Sequence, residues 1–186
     1  MLLLAHLGYT TAAVGVSEKL NLKRHLDYRL VALMAILPDV VDRALYVFAL
    51  PGAQSGRLFA HTLVFCLVLL AVFVVIRRDL WVYGLLPLFH LLMDMQGLSA
   101  QQFFWPLLDA DLSSVHIPGG LAETAGQSYA DRVGDRIHDI LDTYGRAGIL
   151  SLLIEAGGLA TLVLLTLKSR LYDRRRLARL VATGDI

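Results

Sequence analysis

The pentapeptide His90-Leu91-Leu92-Met93-Asp94 sets an imidazole and a carboxylate four residues apart. On a helix that spacing stacks both side chains on one face. The pair closes a long apolar run, where an ionisable group is costly and marks a functional site by default. Other apolar segments carry the same kinds of residue: His6, Asp39 with Asp42, His61, and Glu155. Neutral imidazoles together with carboxylates are what a divalent cation needs. Mixed nitrogen and oxygen ligation suits zinc best, with manganese as the alternative. A bound cation also neutralises carboxylates that could not otherwise stay ionised in apolar surroundings. The candidate ligands are therefore His6, Asp39, Asp42, His61, His90, Asp94 and Glu155, a set large enough for more than one ion. Taken singly, each has a plainer explanation as a hydrogen-bonded staple between packed helices.

The elements that must position these residues are apolar. Of 186 residues, 56% are hydrophobic and 18% charged, and the mean hydropathy is +0.61. Soluble domains run near 45–50% apolar and about 25% charged. Net charge is +1, which gives no electrostatic case for nucleic acid. The single cysteine, Cys66, excludes an intrachain disulfide. No basic stretch precedes the first apolar residues, so a cleaved signal peptide is not expected.

In chain order, residues 1–18 read as an apolar helix whose Gly8, Ala12 and Gly15 allow close approach. A basic loop follows, with His25 solvated in it. A second helix over 30–50 is interrupted at Pro38, which removes a backbone donor. Leu58 to Ile76 is the clearest candidate span. Leu80 to Met95 returns, kinked at Pro87. Phe103-Phe104-Trp105-Pro106-Leu107 suits a membrane interface. Ser128 to Tyr144 has the period of an amphipathic surface helix. Gly148 to Leu167 is the last span, and Lys168 to Arg179 a basic tail. The expected fold is all-α: a polytopic helical membrane protein of about five membrane-embedded helices plus one amphipathic outer surface helix. It forms a single domain over 1–186. The site helices lie in 1–112, the outer loop and surface helix in 113–145, the last span in 146–170, and the tail in 171–186.

Most lysines and arginines gather at one end of these helices, among them Lys19, Arg29, Arg77, Arg78, Lys168 and Arg174 to Arg176. By the positive-inside rule that end, with the tail, is cytoplasmic. At about 1.5 Å per residue, His6, Asp39, His61, His90, Asp94 and Glu155 all lie roughly 15 to 24 Å from it. Five helices thus bring their polar residues to one level in the outer half.

The order His6-Leu7-Gly8-Tyr9-Thr10, Leu37-Pro38-Asp39 with Asp42, Gly56-Arg57 before Phe59-Ala60-His61-Thr62, His90-xxx-Asp94 and Phe104-Trp105-Pro106 resembles the membrane-bound metal-dependent hydrolases. That prokaryotic inner-membrane family is also described as LexA-binding. The likeness covers about residues 1–108, with Glu155 as a further correspondence. One branch of the family has an extra histidine and a threonine where Gly56 and Ala60 stand here. The ligand order is also similar, more distantly, to the zinc-dependent phospholipase C and single-strand nuclease superfamily, with His116 and His138-xxx-Asp142 in the place of its later ligands.

The resemblance implies a hydrolase using metal-activated water. Asp39 or Asp42 would serve as general base while the other binds metal, and Arg57 would pair with a phosphate. A site at this depth suggests a lipid or lipid-linked phosphoester. The rival from another class is a non-catalytic membrane protein that carries protons or divalent metal through a buried His/Asp cluster. The basic tail offers a third role, contact with anionic lipid or another protein.

Overall fold

Every regular element among the described residues of the computed structural model is helical. Those residues are 3–20, 26–48, 59–94, 100–108, 130–131, 134, 138 and 148–186. Helix α1 is Leu3–Lys19 and α2 is Tyr28–Phe48. A 3-10 turn, Phe59–His61, leads into α3, Leu63–Ile76. A second 3-10 turn, Arg78–Leu80, leads into α4, Trp81–Met93. The short α5 is Ala100–Phe103, α6 is Gly148–Lys168, and α7 is Arg174–Thr183.

Helix α1 packs on α6, α2 and α4, and α4 also packs on α2 and α3. The core below the polar residues is Val14, Leu26, Tyr28, Val31, Met34, Tyr83 and Leu86. Helices α1 and α6 meet on glycine. A Cβ on Gly8 would collide with the Gly158 carbonyl, and one on Gly158 would lie 2.5 Å from Ala5 Cα. Small residues let two backbones approach this closely. The Tyr9 hydroxyl donates to the Ile154 carbonyl at 3.0 Å along the same seam. Gly15, expected to share this role, has only the Tyr28 hydroxyl near, at 3.7 Å.

Two expectations need correcting. The apolar run 58–76 is not one helix. Thr62 accepts from the Phe65 amide at 3.2 Å and caps α3, so His61 sits in the turn before it. That leaves 14 residues in α3, about 21 Å of helix, against a hydrocarbon core of about 30 Å. Among the described residues, no helix is long and apolar enough to cross a membrane. Second, α2 runs unbroken through Pro38. The basic tail carries a helix of its own, α7. Asp173 caps α7 by accepting from the Arg175 amide, and Gly184 ends it in the left-handed conformation, φ +80°, where glycine carries no Cβ penalty. The Gly184 carbonyl then accepts from the Tyr28 amide at 2.8 Å. Arg29 donates to the carbonyls of Val181 and Ala182, and Leu180 packs against the core.

Of the expected surface helix, Ala130, Asp131, Gly134 and His138 are helical and exposed; most of 128–144 lies outside the described residues. So do His25, Gly56, Arg57, His116 and Asp142.

Candidate metal centre

Two turns and three helices bring the polar residues together. His61 comes from the turn before α3, His6 from α1, Asp39 and Asp42 from α2, and His90 from α4, with Asp94 as that helix's C-cap. His6, His61, His90 and Asp42 are fully buried, and Asp39, Asp94 and Glu155 nearly so.

The ring orientations follow from their acceptors. His61 Nδ1 lies 2.7 Å from Asp42 Oδ2, while Asp42 Oδ1 accepts the Ala60 amide at 2.7 Å. His90 Nδ1 lies 2.7 Å from the Ala35 carbonyl of α2, three residues before Pro38. Carboxylate and carbonyl oxygens only accept, so each Nδ1 carries a hydrogen. In neutral rings both Nε2 atoms are then bare lone pairs, and they face each other at 3.3 Å. Two lone pairs so placed repel unless a cation or a proton lies between them. Two zinc–nitrogen bonds of about 2.05 Å at a tetrahedral angle span about 3.3 Å, so the spacing fits a metal ion.

The carboxylates close around this point. Asp39 Oδ1 is 3.6 Å from His61 Nε2, and Asp94 Oδ2 is 3.8 Å from it. Asp94 Oδ1 is 3.2 Å from His6 Nε2. The His6 ring stacks on His90, with centroids 3.7 Å apart, and its buried Nδ1 has no hydrogen-bond partner. Two groups of three have ligand atoms close enough to share an ion: His6 with His90 and Asp94, and Asp39 with His61 and His90.

Asp42 and Glu155 belong to neither group among the described residues. Asp42 orients His61, the arrangement that fixes tautomer and ring in metal-binding histidines. Glu155 Oε2 accepts the Ala5 amide at 3.1 Å. Ala5 lies in the first turn of α1, whose amides have no intrahelical acceptor, so α6 caps α1 beside His6.

A residue the sequence reading passed over is Arg43. Its Nη2 lies 3.7 Å from Asp39 Oδ2, one turn along α2. The i, i+4 spacing was the available signal. The Ala35 carbonyl was also missed, and side-chain types carry no signal for it. Thr10 is fully buried one turn from His6, with its hydroxyl unpartnered.

A family model described as YdjM inner membrane protein matches residues 1–173. The chain belongs to the YdjM inner membrane protein family. No curated protein matches, and no solved structure does. The YdjM match takes in every candidate ligand and ends one residue before α7. Membership agrees with the inner-membrane location that the resemblance implied. The likeness to the zinc-dependent phospholipase C superfamily gains nothing from these comparisons. His138, offered as one of its later ligands, is exposed.

Proposed function

We propose that this YdjM-family chain is a membrane-embedded, metal-dependent hydrolase acting on a phosphoester in a lipid or lipid-linked substrate. The observation that carries the reading is the pair of Nε2 atoms held 3.3 Å apart with both hydrogens turned away. A lone proton could settle that pair. Asp39 Oδ1 and Asp94 Oδ2 converge on His61 Nε2 as well, at 3.6 and 3.8 Å, and a metal ion uses these oxygens together with the two nitrogens, which is why it is the better occupant.

The residues that would hold it are His61, His90, Asp39 and Asp94, with His6 at the far side of Asp94. His90 has one lone pair to give and can serve one ion. Asp94 has an oxygen toward His6 and another toward His61, so it is the residue able to join two ions. Zinc suits this donor set, with manganese as the alternative. When bound, the metal supplies Lewis-acid polarisation and a lowered pKa for water.

The chain's own groups do the rest. Asp42 is committed to Ala60 and His61 and acts as a positioning residue. Asp39 would bind the metal through one oxygen and has the other turned to Arg43. Arg43 is the cation that the described residues place against the site, and it would hold the phosphate oxygens. The lipid character of the substrate is supported by an apolar cavity of about 330 Å³ between α1 and α4, running from Trp81 to Leu92. Leu92 lies between His90 and Asp94 in the chain. Exposed Leu67, Val68, Val72, Val75 and Ile76 give α3 an outer face suited to lipid. In this reading the basic end of the bundle faces the cytoplasm and the candidate ligands the outer side.

The test is elemental analysis and phosphodiester hydrolysis on protein purified without added metal. Zinc or manganese is expected in the wild type, and loss of both metal and activity in the double variant His90→Ala, Asp94→Ala. Full metal content in that variant would overturn the reading. Proton or metal flux in liposomes without hydrolysis would favour the carrier instead.

A further inference from the structure

We propose that the basic end of the bundle is an anionic-phospholipid site, with α7 lying against the membrane surface as its outer wall. The proposal is independent of the hydrolase reading and needs only the inner-membrane family.

Its first part is a pair of like charges. Helices α1 and α6 run side by side in the same direction, with Ala5 against Glu155 and Gly8 against Gly158. That register brings their last residues, Lys19 and Lys168, together. The contact is close enough for the Lys19 side chain to push the Lys168 pKa down. Two ammonium groups forced together are relieved by an anion between them.

Its second part is α7. Leu180 holds the helix to the core and Gly184 ties its end to α2, so α7 cannot turn over. In this fixed pose Leu177 is 47% and Val181 67% exposed. Arg174, Arg175 and Arg179 are also exposed, and no carboxylate pairs with them among the described residues. Exposed leucine and valine beside unpaired arginines is the pattern of a helix lying in a lipid interface. Arginine suits phosphate better than lysine does, through its planar fork. Lipid is favoured over an acidic protein because the two apolar residues and the cations sit on one short helix fixed to the end of a membrane-family bundle.

The experiment uses the full chain in nanodiscs of phosphatidylcholine alone or with equimolar phosphatidylglycerol. Hydrogen exchange is read over residues 174–183. Each basic residue near an anionic surface contributes about 1 kcal/mol, or about fivefold. Phosphatidylglycerol is therefore expected to slow exchange in α7 by on the order of a hundredfold, and high salt to reverse it. The triple variant Arg174→Gln, Arg175→Gln, Arg179→Gln is expected to lose the slowing while keeping its helix content. The variant Lys19→Gln, Lys168→Gln, which removes a repulsion, is expected to be more heat-stable in phosphatidylcholine and to gain less from phosphatidylglycerol. Exchange indifferent to phosphatidylglycerol, or slowing retained in the triple variant, overturns the proposal. Slowing that follows the number of chains per disc instead assigns the face to a second copy and overturns it too.

Discussion

Asp42 accepts two hydrogen bonds at once, from the Ala60 amide and from His61 Nδ1, both at 2.7 Å and fully buried. Replacing it with asparagine keeps size and shape but turns one acceptor into a donor. If the new NH₂ faces His61, the ring must accept at Nδ1 and move its hydrogen to Nε2. That atom faces His90 at 3.3 Å and could no longer bind a cation. If the NH₂ faces Ala60 instead, two donors oppose each other in a buried place. Losing a hydrogen bond to a charged group costs roughly 1.5–3 kcal/mol. Losing the partner that orients a metal-binding histidine costs about 10- to 100-fold in affinity. Asp42→Asn is therefore expected to fold with a lower unfolding midpoint and to release metal to a chelator at least about tenfold more readily. Asp42→Ala leaves two buried donors unmet, at roughly 1–3 kcal/mol each, and is expected to be less stable still. Guanidinium unfolding followed by circular dichroism, with elemental analysis across a chelator series, measures both quantities. Metal retention in Asp42→Asn equal to the wild type would refute the assignment of Asp42 as a positioning residue.

Gly158→Ala would set a Cβ 2.5 Å from Ala5 Cα and 2.6 Å from the Leu4 carbonyl, backbone that cannot yield cheaply. A loss of about 1–3 kcal/mol is expected, read as a lower thermal midpoint, while Gly15→Ala should leave it nearly unchanged. Glu155→Ala removes the acceptor for the Ala5 amide and is expected to cost about 1–3 kcal/mol; Glu155→Gln keeps an acceptor oxygen and should recover most of that, on the same thermal scan. The docking of α7 is expected to be pH-dependent through Asp27. Arg29, hydrogen-bonded beside it, holds the Asp27 carboxyl below its ordinary value of 3.8. A depressed folded pKa contributes stability above the unfolded value, lost as pH falls through the folded one. Exchange over 174–183 should therefore quicken only below about pH 3.8, and Asp27→Asn should remove that step.

The cluster was legible because His6, His61, His90 and Asp94 are ionisable residues set in apolar runs. Equal distance from the basic ends was enough to bring them together. The roles within the cluster were not legible. Asp39 and Asp42 look alike in the sequence, and what separates them is which oxygen meets the Ala60 amide, a group from a turn that hydropathy merged into the following helix. The signal for that turn was present in Thr62, a capping residue ahead of an apolar run. Pro38 reads as a breaker by propensity, but packing against α4 kept α2 whole. Helix α7 was missed because an arginine run reads as solvated. Asp173 and Gly184 bracket it as caps, a signal that charge obscured.

The capping of α1 by Glu155 joins residues 150 positions apart. At a synthesis rate of about 5–20 residues per second, Ala5 exists for roughly 8 to 30 seconds before Glu155 is made. Through that interval the first helix carries an unmet amide and an open glycine face, and nothing yet fixes His6 from that side. The capping of α1 beside His6 therefore waits for α6. Maturation is expected to be a late, single closing event, and chains cut short before α6 should be targets for degradation rather than partly working proteins.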